Sequence, residues 1–133
     1  LVAALTGPCN RLPGRVTSIE DGACHVRLDC GLEAMGMPVV GPEGSPVAGG
    51  RCTLVIRPEQ VAVAPLPAEE MGEEAVPARL LEARFAGDHL RLRLAIGRGG
   101  ELVAHRPPGL PLPPLGAEAS IAWDMSAARV HSG

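Results

Sequence analysis

Two short segments carry polar side chains at spacings suited to recognition. Asn10 stands in Gly7-Pro8-Cys9-Asn10-Arg11-Leu12-Pro13-Gly14, in a turn immediately before the first predicted strand. There its carboxamide can cap neighbouring backbone amides. Arg57-Pro58-Glu59 follows a predicted strand over 51–57, which Pro58 ends. Arg57 and Glu59 are left to bridge a turn or to clasp a neighbouring domain. Each pattern suits local turn chemistry as well as a docking surface.

Little else in the chain is arranged for chemistry. The four cysteines, Cys9, Cys24, Cys30 and Cys52, form no Cys-x-x-Cys pair, and His25, His89, His105 and His131 are scattered. That spacing suits small buried thiols in a reducing compartment, and no metal site is expected. There is no Lys, hence no phosphate loop ending in Gly-Lys-Ser/Thr, and no Gly-x-Ser-x-Gly elbow or His-Glu-x-x-His helix. Glu69, Glu70, Glu73 and Glu74 fall in a segment expected to be solvated, where carboxylates keep ordinary acidity. No catalytic residue and no cofactor-binding residue is assigned, and the chain itself is not expected to be an enzyme.

Composition narrows the partners. All 12 basic residues are Arg, none in a run longer than two, and the formal charge is −3. A nucleic-acid surface needs clustered cations against phosphates. With one Phe, one Trp and no Tyr, the stacking platform of single-strand binders is missing too. A nucleic-acid-binding barrel is therefore opposed by charge and aromatic content alike. No apolar run reaches the length of a membrane span. The chain starts on Leu1 with no basic, apolar leader, which suggests a piece of a longer polypeptide.

The elements that must position Asn10 and Arg57-Pro58-Glu59 come from a duplication. Gly14-Arg15-Val16 matches Ala78-Arg79-Leu80, and Val26-Arg27-Leu28 matches Leu90-Arg91-Leu92, at an offset of 64 (78−14). Gly49, Cys52, Leu54, Ile56 and Val63 match Gly116, Ala119, Ile121, Trp123 and Val130 at 67 (116−49). Fixed self-similarity on this scale marks two copies of one supersecondary unit, each too small to bury a large core alone.

Period-two alternation predicts strands near 14–20, 23–30, 35–40, 51–57 and 61–64, then near 78–86, 89–96, 100–105, 118–123 and 128–131. Asp21-Gly22, Gly87-Asp88 and Arg98-Gly99-Gly100 read as turns, and the proline run 107–114 as a stiff connection. The expected organisation is a module over 1–64, an acidic linker over 65–77 and a second module over 78–133. The expected class is all-β, as a small closed barrel of the oligonucleotide/oligosaccharide-binding type.

Taken in order, Gly7-x-x-Asn10-x-Leu12-x-Gly14-x-Val16, Gly49 through Ile56-Arg57-Pro58-Glu59-Gln60-Val61, Phe85-x-Gly87, and Leu115-Gly116 through Trp123 resemble a known pattern. It is the C-terminal regulatory region of ABC-importer ATPase subunits, the TOBE domain, a relative of the molybdenum-pterin-binding (MOP) fold. The resemblance implies an OB-like β-barrel of two tandem strand modules behind a nucleotide-binding domain. It implies a non-catalytic regulatory and dimerisation role in an importer of the polyamine, ferric iron, phosphonate or sugar type. ATP and Mg would belong to the nucleotide-binding domain.

The implied partners are that domain, a second ATPase subunit in a homodimer and, indirectly, the membrane permeases at the cytoplasmic face of the bacterial inner membrane. Asn10, Arg57, Pro58 and Glu59 become candidate interdomain or dimer contacts. A second reading, a free-standing two-copy molybdate or oxyanion carrier of the MOP type, suits the duplication and Asn10-x-Leu12-x-Gly14. Arg57-Pro58-Glu59 stands where that relative would have a polar Lys-Ser/Ala-Ser segment.

Overall fold

Alternating apolar residues produce ten strands in the computed structural model, which describes residues 9–42, 44–65, 75–109, 112 and 114–133. They are β1 (Asn10–Glu20), β2 (Ala23–Leu28), β3 (Glu33–Pro38), β4 (Arg51–Ile56), β5 (Ala62–Ala64), β6 (Val76–Phe85), β7 (Leu90–Ile96), β8 (Gly100–Arg106), β9 (Glu118–Ala122) and β10 (Arg129–Ser132). Single 3₁₀ turns, Pro58–Gln60 and Met125–Ala127, precede β5 and β10. The expectations for Leu1, Gly7, Pro8, the acidic segment 66–74 and part of the proline run lie outside the described residues. Val76 and Pro77, placed in the linker by the sequence, already belong to β6.

Leu92, Leu94 and Ile96 of β7 point inward with almost no exposure, as the alternation required. Asp21 and Gly22 both take positive φ, 52° and 79°, so the β1–β2 hairpin closes on a mirror-image turn that matches the twist of its strands.

β1 starts earlier than the sequence suggested. Asn10 is its first residue and pairs with Ile56 of β4, not a member of a preceding turn. Pro13 is tolerated inside the strand because its carbonyl accepts from Asp29 just past the last β1–β2 pair, Gly14 with Leu28. Its missing N–H therefore falls where that ladder ends.

The repeat keeps the same strand order but slips in one hairpin. Both β1 and β6 carry a bulge, between Val16 and Ser18 and between Leu80 and Glu82, which keeps the offset of 64. Val16 pairs with Val26 and Leu80 with Leu94, so the residue equivalent to Val26 is Leu94, at an offset of 68 (94−26). The match of Val26 with Leu90 is thus corrected by four residues. The β6–β7 hairpin is longer, running through Ala86–His89 before the strands pair again. Gly49 and Gly116 restore the symmetry: each takes positive φ and donates its N–H, over 2.7 Å, to the carbonyl of Val16 and Leu80 respectively.

The sheets do not coincide with the two halves of the chain. The first is a closed barrel in the order β1-β2-β3-β10-β4, and the second runs β5-β9-β6-β7-β8. Each copy lends its last strand to the other: Val130 lies opposite Leu54, and Val63 opposite Ile121. One continuous hydrophobic core joins both, including Leu54, Ile56, Leu80, Leu92, Ile121 and Val130.

Only the first ring closes. β3 and β10 run parallel, with Met37 N–H donated to Ala128 and Val39 N–H to Val130, both over 2.9 Å. The position equivalent to Val39, at the same offset of 68 (107−39), is Pro107. Proline has no N–H to give, and the second sheet stays open between β5 and β8.

Candidate functional site

Both polar segments singled out in the sequence come to the outer edge of β8. Because Asn10 opens β1 beside Ile56, its side chain projects across to the facing sheet. There Nδ2 donates to the Val103 carbonyl over 2.8 Å, and Val103 N–H donates to Oδ1 over 2.7 Å. A carboxamide carries a donor and an acceptor on separate atoms, so it can serve a backbone N–H and carbonyl together, mimicking a strand neighbour. Asn10 is 7% exposed, so its recognition capacity is spent inside the chain, between the sheets.

Chain direction changes immediately after β4. Arg57 remains extended, Pro58 starts the 3₁₀ turn with its preset φ, and Gln60 N–H donates to the Arg57 carbonyl over 2.9 Å. Pro58 is fully buried at the contact with β8. Arg57 and Glu59 stay on the surface, half-exposed and 3.9 Å apart. At that distance and exposure the pair contributes little to stability. Of the four candidates, Asn10 and Pro58 hold the junction and Arg57 and Glu59 face outward from it.

Spacing alone did not reveal the imidazoles beside this junction. His89 and His105 lie 4.2 Å apart between ring centroids, and His89 Nδ1 sits 2.8 Å from Asp88 Oδ1. The β7–β8 register, Arg91 opposite His105 and Leu90 opposite Arg106, brings them together. Burial, then the neighbouring His89, holds the pKa of His105 below the ordinary imidazole range; Glu59 pulls the other way and Arg91 adds to the depression. The thiols of Cys24 and Cys52 are buried in the barrel, and burial pushes both pKa values up. They behave as small apolar side chains, as their spacing suggested.

The second junction, related by the repeat, is built differently. The residues equivalent to Ile56, Pro58 and Val103 are Trp123 and Met125 (offset 67) and Met35 (offset 68). Met35 and Met125 are more than a third exposed, and with Thr17, His25, Glu33 and Trp123 they border a cavity of about 480 Å³. Among the described residues no cluster of three His, Cys, Asp or Glu side chains is placed to hold a metal ion.

Residues 54–130 match the model of the TOBE domain family. The chain belongs to the TOBE domain family. It is 32% identical, over 126 residues and 92% of its length, to the spermidine/putrescine import ATP-binding protein PotA of Rubrobacter xylanophilus, aligning with that protein's C-terminal part. It spans 31% of that relative's length.

In shape this TOBE chain is similar to the cytoplasmic molybdate-binding protein ModG, solved with molybdate bound, with a TM-score of 0.75. That likeness covers 93% of this chain and 96% of the other at 14% identity, and speaks for the OB-like fold alone. Among the described residues no helix is long and apolar enough to cross a membrane.

Proposed function

We propose that this TOBE chain is the non-catalytic regulatory segment of an ABC importer's ATP-binding subunit. In this reading it helps to hold or tune a pair of such subunits beneath their permeases, at the cytoplasmic face of the bacterial inner membrane. The observation that carries it is the relationship to the spermidine/putrescine import ATPase, which extends over 92% of the chain. A polyamine is accordingly the cargo proposed for the parent importer. ATP and Mg would bind in the nucleotide-binding domain, the first partner of this segment.

Arg57 and Glu59 suit an adaptor surface because a rigid 3₁₀ turn, anchored by buried Pro58, presents both charges outward. Arg57→Ala with Glu59→Ala in a full ATP-binding subunit should weaken subunit pairing or lower ATP turnover several-fold, read by sedimentation and steady-state hydrolysis. Unchanged values for both would remove this surface from the proposal. Tight ATP binding by the 133-residue chain alone would remove the non-catalytic reading itself.

The oxyanion carrier is the second reading, motivated by the match along nearly the whole of ModG. Calorimetry with molybdate and tungstate separates the two: a micromolar signal with fixed stoichiometry favours the carrier.

A further inference from the structure

The two junctions of the repeat are lined by different side chains. At the first, Ile56 and Pro58 are buried and Asn10 bonds both polar groups of Val103, so the space between the sheets is filled. At the second, Trp123, Met125 and Met35 stand in place of Ile56, Pro58 and Val103, the position equivalent to Asn10 lies outside the described residues, and a cavity of about 480 Å³ opens against the β1–β2–β3 face. This is within the size range of pockets that hold small ligands.

The lining selects by charge. Trp123 supplies the largest and most electron-rich π face available to a protein, and Met35 and Met125 add polarizable sulfur. Glu33 contributes a carboxylate, and among the described residues no ion pair engages it. His25 is drawn to Glu20, with Nε2 3.4 Å from the carboxylate. Thr17 spends its hydroxyl hydrogen on the His25 carbonyl. Among the described residues no Arg borders the cavity and the chain contains no Lys, so His25, already drawn to Glu20, is the basic group in the lining. Apolar walls, an aromatic face and a carboxylate that no ion pair engages among the described residues, although Arg27 lies opposite it on β2, together suit an occupant that is positive, weakly hydrated and greasy.

We propose that this cavity binds a small organic cation of the quaternary-ammonium class, with the charge between Glu33 and Trp123. The site stands apart from Arg57 and Glu59 and does not depend on the importer reading. Binding there would bridge the first barrel to the segment that follows β9, since Thr17, His25, Glu33 and Met35 come from one and Trp123 and Met125 from the other.

Trp123 is the only Trp and the chain has no Tyr, so its fluorescence reports the site directly. Titrating the 133-residue chain with choline, and separately with its uncharged carbon isostere 3,3-dimethylbutan-1-ol, should give a saturable change for choline and binding about tenfold weaker for the alcohol. Glu33→Gln should weaken choline by a similar factor while leaving the thermal transition in place, because Glu33 is exposed. Calorimetry on Trp123→Phe supplies a readout that does not depend on the indole and should show reduced affinity. Equal binding of the alcohol, an unaffected Glu33→Gln, or no saturable choline signal would overturn the proposal. So would a Trp123 response to molybdate that choline fails to compete away.

Discussion

Arg98 donates its backbone N–H to the carbonyl of Cys30 over 2.8 Å, and these two residues occupy equivalent positions in the two copies (98−30, the offset of 68). The β2–β3 and β7–β8 turns therefore meet each other where the duplicated halves join. The approach is close enough that Gly97 and Gly100 have no room for a side chain: a Cβ on Gly97 would stand 2.3 Å from the Cys30 carbonyl oxygen, and one on Gly100 2.8 Å from Cys30 Cβ.

Gly97→Ala should therefore cost more than a change of φ preference alone. Gly97 has φ of 52° and a backbone obstacle, whereas Gly99 has φ of 76° and open space around it. Gly99→Ala is expected to lose about 1 kcal/mol, the ordinary left-handed penalty, and Gly97→Ala about twice that or more. Paired urea melts check the ranking, and equal losses would mean that the turns part without cost.

Asn10→Ala leaves the N–H and carbonyl of Val103 without their partner at a half-buried site. A loss of about 1–3 kcal/mol is expected in chemical denaturation. Asn10→Asp should be worse at neutral pH, because a carboxylate would face the Val103 carbonyl where an amide now donates. Recovery of stability for the Asp variant on acidification, as the carboxyl regains a proton to donate, would confirm that donation is what matters.

Ending the chain before Arg129 removes β10 from the first barrel, although it is the second copy that is truncated. Val130 is fully buried opposite Leu54, and both belong to the shared core. Amide exchange should show β1–β4 losing protection together, with the second sheet weakened through the common interior. Selective loss in β6–β9 with an intact barrel would contradict the exchange of strands.

His105 makes stability pH-dependent in a defined direction. Its folded pKa lies below the ordinary 6.5, so the unfolded chain binds the proton more readily. The favourable contribution is fully present above about pH 6.5, declines as the pH falls toward the depressed folded value, and levels off below it. His105→Gln should flatten this dependence between pH 7.5 and 5.5 in urea melts, while His89→Gln should reduce it by removing one depressing neighbour. Identical pH slopes in wild type and His105→Gln would refute it.

Much of the architecture could be read from residue order, and the reasons for the remainder are physical. Strict alternation in segments such as Leu90-Arg91-Leu92-Arg93-Leu94 disclosed the strands, because one face must be dry and the other wet. The exchange of β5 and β10 was not legible. Val63 and Val130 sit in equivalent short strands, and a strand with one buried Val fits either acceptor.

Pro13 hid the true start of β1, since a proline ordinarily signals the end of pairing. Pro107 gave no warning that the second ring would remain open, because its effect depends on a parallel partner brought from far along the chain. The Arg57-Pro58-Glu59 signal located a real turn, but its buried member is the proline. The His89–His105 contact and the Trp123 cavity depend on register and on packing between sheets, neither of which spacing encodes.

The traded strands also bear on how such a body arises. Two separate copies of the shorter unit, each completing the other's sheet, would assemble into the same arrangement as a dimer and would fall apart on dilution. Joining them through the stretch between Ala64 and Val76 makes that encounter intramolecular, with a local concentration set by the tether. Association then no longer depends on abundance, and the two seams are free to diverge: one hardened by Asn10, the other hollowed around Trp123.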